Sequence, residues 1–272
     1  MRVCAYCQEQ KQLSREHVFP ESLITLFPEA EYVYFGEEKV IPLSTDNHVV
    51  RDVCVTCNND RLSKLDTVGS GFIKEYFLSD LNPNQELHVS YDYFSLAKWV
   101  MKIIYNSTRQ YKKSAHPWFE KNSKYMVGLK SEFTSEFSLF LGFFVDLVPL
   151  AGMFPDKPFE VIMNPRLITS AFLQPPLKMY NLSNEVSYLL RVGNALFLFI
   201  IWNDQISVED KVKFETEIEN KFPYTALSHK SKEAIIYRAT DCINSGNLFM
   251  VHSRARQRAA DMYQMNGFHS RV

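Results

Sequence analysis

Net charge is almost absent from this chain: −1 at pH 7 over 272 residues. Such a chain has no global attraction for a polyanion, so any grip on nucleic acid must come from a local cluster. The first seventy residues are acidic by count, with Glu29, Glu31, Glu37 and Glu38 close together, which departs from the usual footprint of a DNA-binding domain. Long apolar runs are missing as well. The longest, Ala195-Leu196-Phe197-Leu198-Phe199-Ile200-Ile201-Trp202, is far too short for a membrane helix, so no membrane partner is expected. No apolar leader core follows Met1-Arg2-Val3-Cys4, and a cytoplasmic protein is expected. There is no internal repeat and no low-complexity segment, which sets aside repeat arrays and biased tails. Cysteine is sparse, five in all, yet four of the five are paired.

Those pairs are Cys4-Ala5-Tyr6-Cys7 and Cys54-Val55-Thr56-Cys57, the second followed by Asn58-Asn59. Each short loop presents two sulfurs to one point, so two C-x2-C pairs can close a tetrahedron around one zinc ion. Two disulfides are the bland alternative, but paired C-x2-C in a cytoplasmic chain points to metal. A thioredoxin-like redox site would use one such pair after a strand, not two matched ones. Cys242 is read as a small buried apolar residue of a helix. Between the knuckles stands Arg15-Glu16-His17-Val18-Phe19-Pro20, whose histidine that zinc does not need.

Taken together, Cys4-x2-Cys7, Glu16-His17-Val18-Phe19-Pro20-Glu21-Ser22-Leu23 and Asp52-Val53-Cys54-Val55-Thr56-Cys57-Asn58-Asn59 resemble the HNH endonucleases of the His-Me finger class. The resemblance covers roughly the first quarter of the chain and implies a ββα unit held by a zinc knuckle. It implies that His17 is the general base, that Asn58 helps hold a catalytic divalent ion, and that Glu16 stands where an acidic metal ligand is usual. Asn47 is the preferred middle residue, bracing the loop between the strands, with His48 as the alternative. Asn59 could replace Asn58 if the helix begins one residue later.

The chemistry needs these residue types. Water attacks a phosphodiester in line, and a neutral imidazole with an unperturbed pKa of about 6.5 can take its proton. A hard cation, Mg²⁺ or Mn²⁺, can stabilise the leaving 3′ oxygen, with Glu16 and Asn58 as oxygen ligands. Thiolates suit zinc rather than that ion, so the two metal sites should be separate. Structural readings stand beside each role: His17 packed under Phe19, Glu16 as a solvated charge, Asn58 as a helix N-cap. Arg51 and Arg61 flank the second knuckle and could meet phosphate or simply face water.

The expected fold class is α+β, with a nuclease unit over residues 1–70 and a larger mixed domain over 71–272 that recognises substrate, dimerises or restrains the nuclease. Helices are expected at Ser63–Phe77, Phe94–Tyr111, Val208–Lys221 with Ser207 as N-cap, Lys232–Ile243 and Ser253–Met265. Strands are expected at Ser138–Val148, Phe159–Asn164 and Ser187–Trp202, the last broken by a hairpin turn at Arg191–Ala195. The basic cluster visible in the sequence is Arg254, Arg256 and Arg258 near the C-terminus, a candidate grip on a nucleic-acid backbone. The expected function is metal-dependent cleavage of DNA, in defence against foreign DNA or in a mobile element, by a homodimer. A non-catalytic zinc-knuckle binding module and a ligand-triggered nuclease are the alternatives.

Overall fold

The computed structural model describes residues 2–27, 32–35, 40–43, 48–79, 81–82, 84–110, 117–132, 136–143, 168–173, 185–202, 206–222 and 224–239. The first knuckle leads into β1 (Leu13–His17), which pairs antiparallel with β4 (Val49–Cys54). Leu13 faces Cys54 and His17 faces Val49, and a bulge after Ser14 sets Arg15 against both Arg51 and Asp52. Between these strands lie the short helix α1 (Glu21–Ile24) and the hairpin of β2 (Tyr32–Phe35) with β3 (Val40–Leu43). From Cys57 to Leu62 the chain winds as a wide π-turn, in which the Ser63 N–H reaches back to the Asn58 carbonyl, and it continues as α2 (Ser63–Tyr76). The antiparallel pair β1–β4, a hairpin whose long connection carries α1, β2 and β3, and helix α2 follow in the expected strand–strand–helix order.

Helix α3 (Tyr93–Gln110) lies against α2 and buries Leu96, Trp99, Val100, Ile103 and Ile104, the stripe its periodicity predicts. Trp99 needs a glycine opposite: a Cβ on Gly69 would fall 2.1 Å from its indole ring. The far edge of Trp99 meets Phe197 edge-on at 6.0 Å. That contact links the N-terminal unit to an antiparallel sheet ordered β10-β6-β9-β8-β7 among the described residues. Its strands are β6 (Phe137–Phe143), β7 (Ile168–Leu173), β8 (Glu185–Val192), β9 (Ala195–Trp202) and β10 (Thr225–Ala226). Helix α4 (Pro117–Met126) and α3 cover one face, which receives Phe137, Leu139, Phe197 and Phe199; α5 (Val208–Lys221) covers the other, which receives Phe140, Leu198, Ile200 and Trp202. This is period-two alternation on strands buried on both faces. Gly193, at φ 56, opens the two-residue turn between β8 and β9, where a hairpin wants a glycine.

The mixed helix and strand content agrees with the α+β expectation. The boundary expected near residue 70 falls inside α2, and one apolar core runs from Cys4 through Trp99 to Phe199. One expected helix is corrected. Glu233–Ile236, inside the predicted Lys232–Ile243, is a strand, β11, paired antiparallel with β5 (Leu87–Ser90). Ile236 is buried while Ile235 is exposed, so a waiting partner strand and two β-branched side chains outweigh the helical reading. The expected strand Phe159–Asn164, the helix Ser253–Met265 and Cys242 lie outside the described residues.

Candidate metal centre and the residues beside it

The first knuckle is a tight reversal. Gln8 N–H donates to the Cys4 carbonyl at 2.9 Å, Cys4 N–H to the Glu9 carbonyl at 3.0 Å, and Gln8 itself sits at φ 60, a conformation a non-glycine residue adopts only when its surroundings hold it. Its side chain is tied to α4 through the Glu120 carbonyl and Ser123. The two knuckles interlock: Ala5 N–H donates to the Asp52 carbonyl and Val55 N–H to the Gln12 carbonyl.

The result brings Cys4, Cys7, Cys54 and Cys57 together, all buried and all free thiols. Their sulfurs lie within 4.8 Å of one another, with Cys7 and Cys54 at 3.8 Å. A tetrahedron with Zn–S of about 2.3 Å has edges of about 3.8 Å. Backbone N–H groups already point at sulfur, from Cys54 to Cys4 at 3.3 Å and from Cys57 to Cys54 at 3.4 Å. The Cys4 thiol is pushed down to about 4, first by the hydrogen bond from the Cys57 thiol. Cys57 is pushed up by that same bond, and Cys7 is raised by burial. Four thiols this close cannot all ionise unless a cation neutralises them, and this donor set is one that a metal ion such as zinc requires.

The residues between the knuckles are less open than the sequence implies. Glu16 is buried, with Lys102 Nζ 2.6 Å from its Oε1 as an ion pair. Lys102, on α3 and fully buried, also donates to Asp66 of α2 at 3.0 and 3.1 Å. One ammonium thus serves two carboxylates. Burial raises the Asp66 pKa despite Lys102, and the two carboxylates raise Lys102 although burial opposes them. Four residues further along α3, Asn106 accepts from the Tyr6 hydroxyl at 2.7 Å and donates to the His17 carbonyl at 3.2 Å. Arg109 then grips Asp52 of β4 through two nitrogens, at 3.0 and 3.3 Å, while lying 3.8 Å over the Tyr105 ring. Lys102, Asn106 and Arg109 fall at i, i+4 and i+7, one helix stripe that holds the hairpin from inside.

His17 ends β1 half-buried, and its Nδ1 takes no hydrogen bond among the described residues. His48 is buried beside Phe19 at 6.1 Å, and its pKa is lowered to about 4 by burial and then by His17. Its carbonyl accepts from Val18 at 2.8 Å, so His48 braces the hairpin mouth through its backbone. Asn58, in the first turn after the knuckle, donates to the Ser14 hydroxyl at 3.0 Å and the Arg15 carbonyl at 2.8 Å, which spends its nitrogen on β1 and leaves its oxygen. Arg61 donates to the Val127 carbonyl at 2.7 Å. Asn47, Arg254, Arg256 and Arg258 lie outside the described residues. The sequence reading missed Lys102 and Asp66; the available signal was a lysine inside the apolar stripe of α3, next to Ile103. No helix among the described residues is long and apolar enough to cross a membrane. The chain matches no protein-family model, no curated protein and no solved structure.

Proposed function

We propose that this chain is an HNH-type endonuclease, a metal-dependent hydrolase of phosphodiester bonds in DNA, built on a structural zinc site at Cys4, Cys7, Cys54 and Cys57. The observation that carries this reading is the juxtaposition of a four-thiol cluster, a strand ending at His17 and a helix opening at Asn58, which is braced against that strand. His17 acts as general base. Its Nδ1 has no partner among the described residues, and a neutral imidazole is the form that accepts a proton near neutral pH.

The donor set for a hard cation fits only in part. Glu16 is paired to Lys102, so it does not fit the ligand role and instead holds β1 to α3. Asn58 keeps an oxygen for a Mg²⁺ or Mn²⁺ ion, which would take most of its ligands from water and the phosphate and would stabilise charge on the leaving oxygen. A single such centre cuts one strand, so a double-strand break requires two copies or two events.

The second reading, a zinc-knuckle module that binds without cutting, draws on the same bonds of Glu16 and Asn58. One experiment separates them: cleavage of plasmid and linear DNA, with and without Mg²⁺ or Mn²⁺, by the wild type and His17→Ala. Loss of a general base costs about 10²–10⁴ in rate, with zinc content and fold intact. Equal cleavage by both proteins would refute the mechanism, and silence of the wild type on every DNA would favour the binding module.

A further inference from the structure

The hairpin sorts its charges. Each acidic residue on β1 and β4 is held by a cation of α3: Glu16 by Lys102 and Asp52 by Arg109. Their chain neighbours Arg15 and Arg51 are exposed on the other side. There they join Arg2 and Lys11 around an open groove of about 640 Å³ that Gln12, Leu13 and Ser14 also line. No carboxylate lines it among the described residues. Glu9 is ion-paired to Lys11 at 2.7 Å, but that pair is exposed and solvent-screened, and a phosphate can replace the carboxylate. Positions 2, 11, 15 and 51 are scattered among acidic residues, which is why the N-terminal region counts as acidic while one of its faces is cationic.

We propose that this groove grips the sugar–phosphate backbone of a DNA strand and leads it to His17; the role given to His17 rests on the nuclease reading, whereas the groove itself does not. The four cations share one open groove. They flank an extended segment, Lys11 to Arg15, about 13 Å long, the axial length of about four nucleotides of one strand. His17 ends β1 two residues beyond Arg15, so a backbone held here would present its next phosphate there. The groove also supplies, at the N-terminal end, the local cluster that a chain of net charge −1 needs for a polyanion.

The test is binding, measured apart from cleavage. Fluorescence anisotropy of a labelled DNA duplex is followed against salt, using the full zinc-loaded chain without added Mg²⁺. Four contacts give a slope of log association constant against log salt of about −3.6. Arg2→Gln with Arg51→Gln should make that slope shallower by about 1.8 and weaken unrelated sequences equally. Arg2→Lys with Arg51→Lys should retain it, and zinc content and thermal midpoint should not move. Unchanged affinity and slope in the Gln variant would overturn the proposal, as would micromolar binding of pyrophosphate, lost in that variant, with no binding of DNA. Groove-dependent binding without cleavage would sink the nuclease reading and leave the groove standing. Cleavage unaffected by the Gln variant would do the reverse.

Discussion

At the residue scale, His48 shows what burial does to a titratable group beside the site. Its pKa is lowered to about 4, against about 6.5 in an unfolded chain. Between those values the unfolded state binds a proton that the folded state refuses, so stability falls as pH drops from about 6.5 toward 4, by up to about 3 kcal/mol. Urea unfolding between pH 7 and 5, with zinc content checked at each point, should show this slope in the wild type and a flatter one in His48→Gln. Parallel curves would exclude His48 as the source. The four clustered cysteines were legible because their chemistry is carried by spacing. Lys102 and Asp66 were not, because an ion pair inside a core leaves no trace in periodicity except a charge where an apolar residue is due.

At the element scale, α2 carries two glycines with opposite meanings. By propensity alone Gly69 and Gly71 are alike, each weakening a helix. A Cβ on Gly69 would meet the Trp99 ring at 2.1 Å, whereas no described atom lies within 4 Å of a Cβ on Gly71. Gly69→Ala is expected to cost about 1–3 kcal/mol by overpacking, and Gly71→Ala to gain up to about 1 kcal/mol in helix propensity. Thermal midpoints moving in the same direction would mean that Trp99 has room to turn. Strand β11 is the converse case. Its Glu233-Ala234-Ile235-Ile236 reads as helix locally, and only β5 lying alongside makes it a strand.

At the scale of the whole molecule, the thiol cluster belongs to the same core as the sheet. Cys4, Cys7, Cys54 and Cys57 share one continuous apolar cluster with Trp99, Phe119 and Phe199, and the stripe on α3 ties β1 and β4 to it. Metal loss should therefore be felt throughout the chain. Chelation, or Cys7→Ser, is expected to remove one zinc per chain and lower a single unfolding transition by about 10 °C or more, since each kcal/mol moves a chain of this size by about 2–4 °C. A second transition unmoved by chelation would mean that the sheet folds independently of the metal unit.

The sequence alone determined the thiol tetrad, the helix Val208–Lys221 with its Ser207 cap and the hairpin at Gly193, because each is set by local spacing or by the backbone needs of one or two residues. Only the tertiary structure decided which charges face the groove. Glu16 and Asp52 look available in one dimension, but helix α3, some fifty residues or more away, neutralises both. Arg2, Lys11, Arg15 and Arg51 look diluted, yet the strand register gathers them on one face. Charge acts through space, and the folding of β1 against β4 sets those distances.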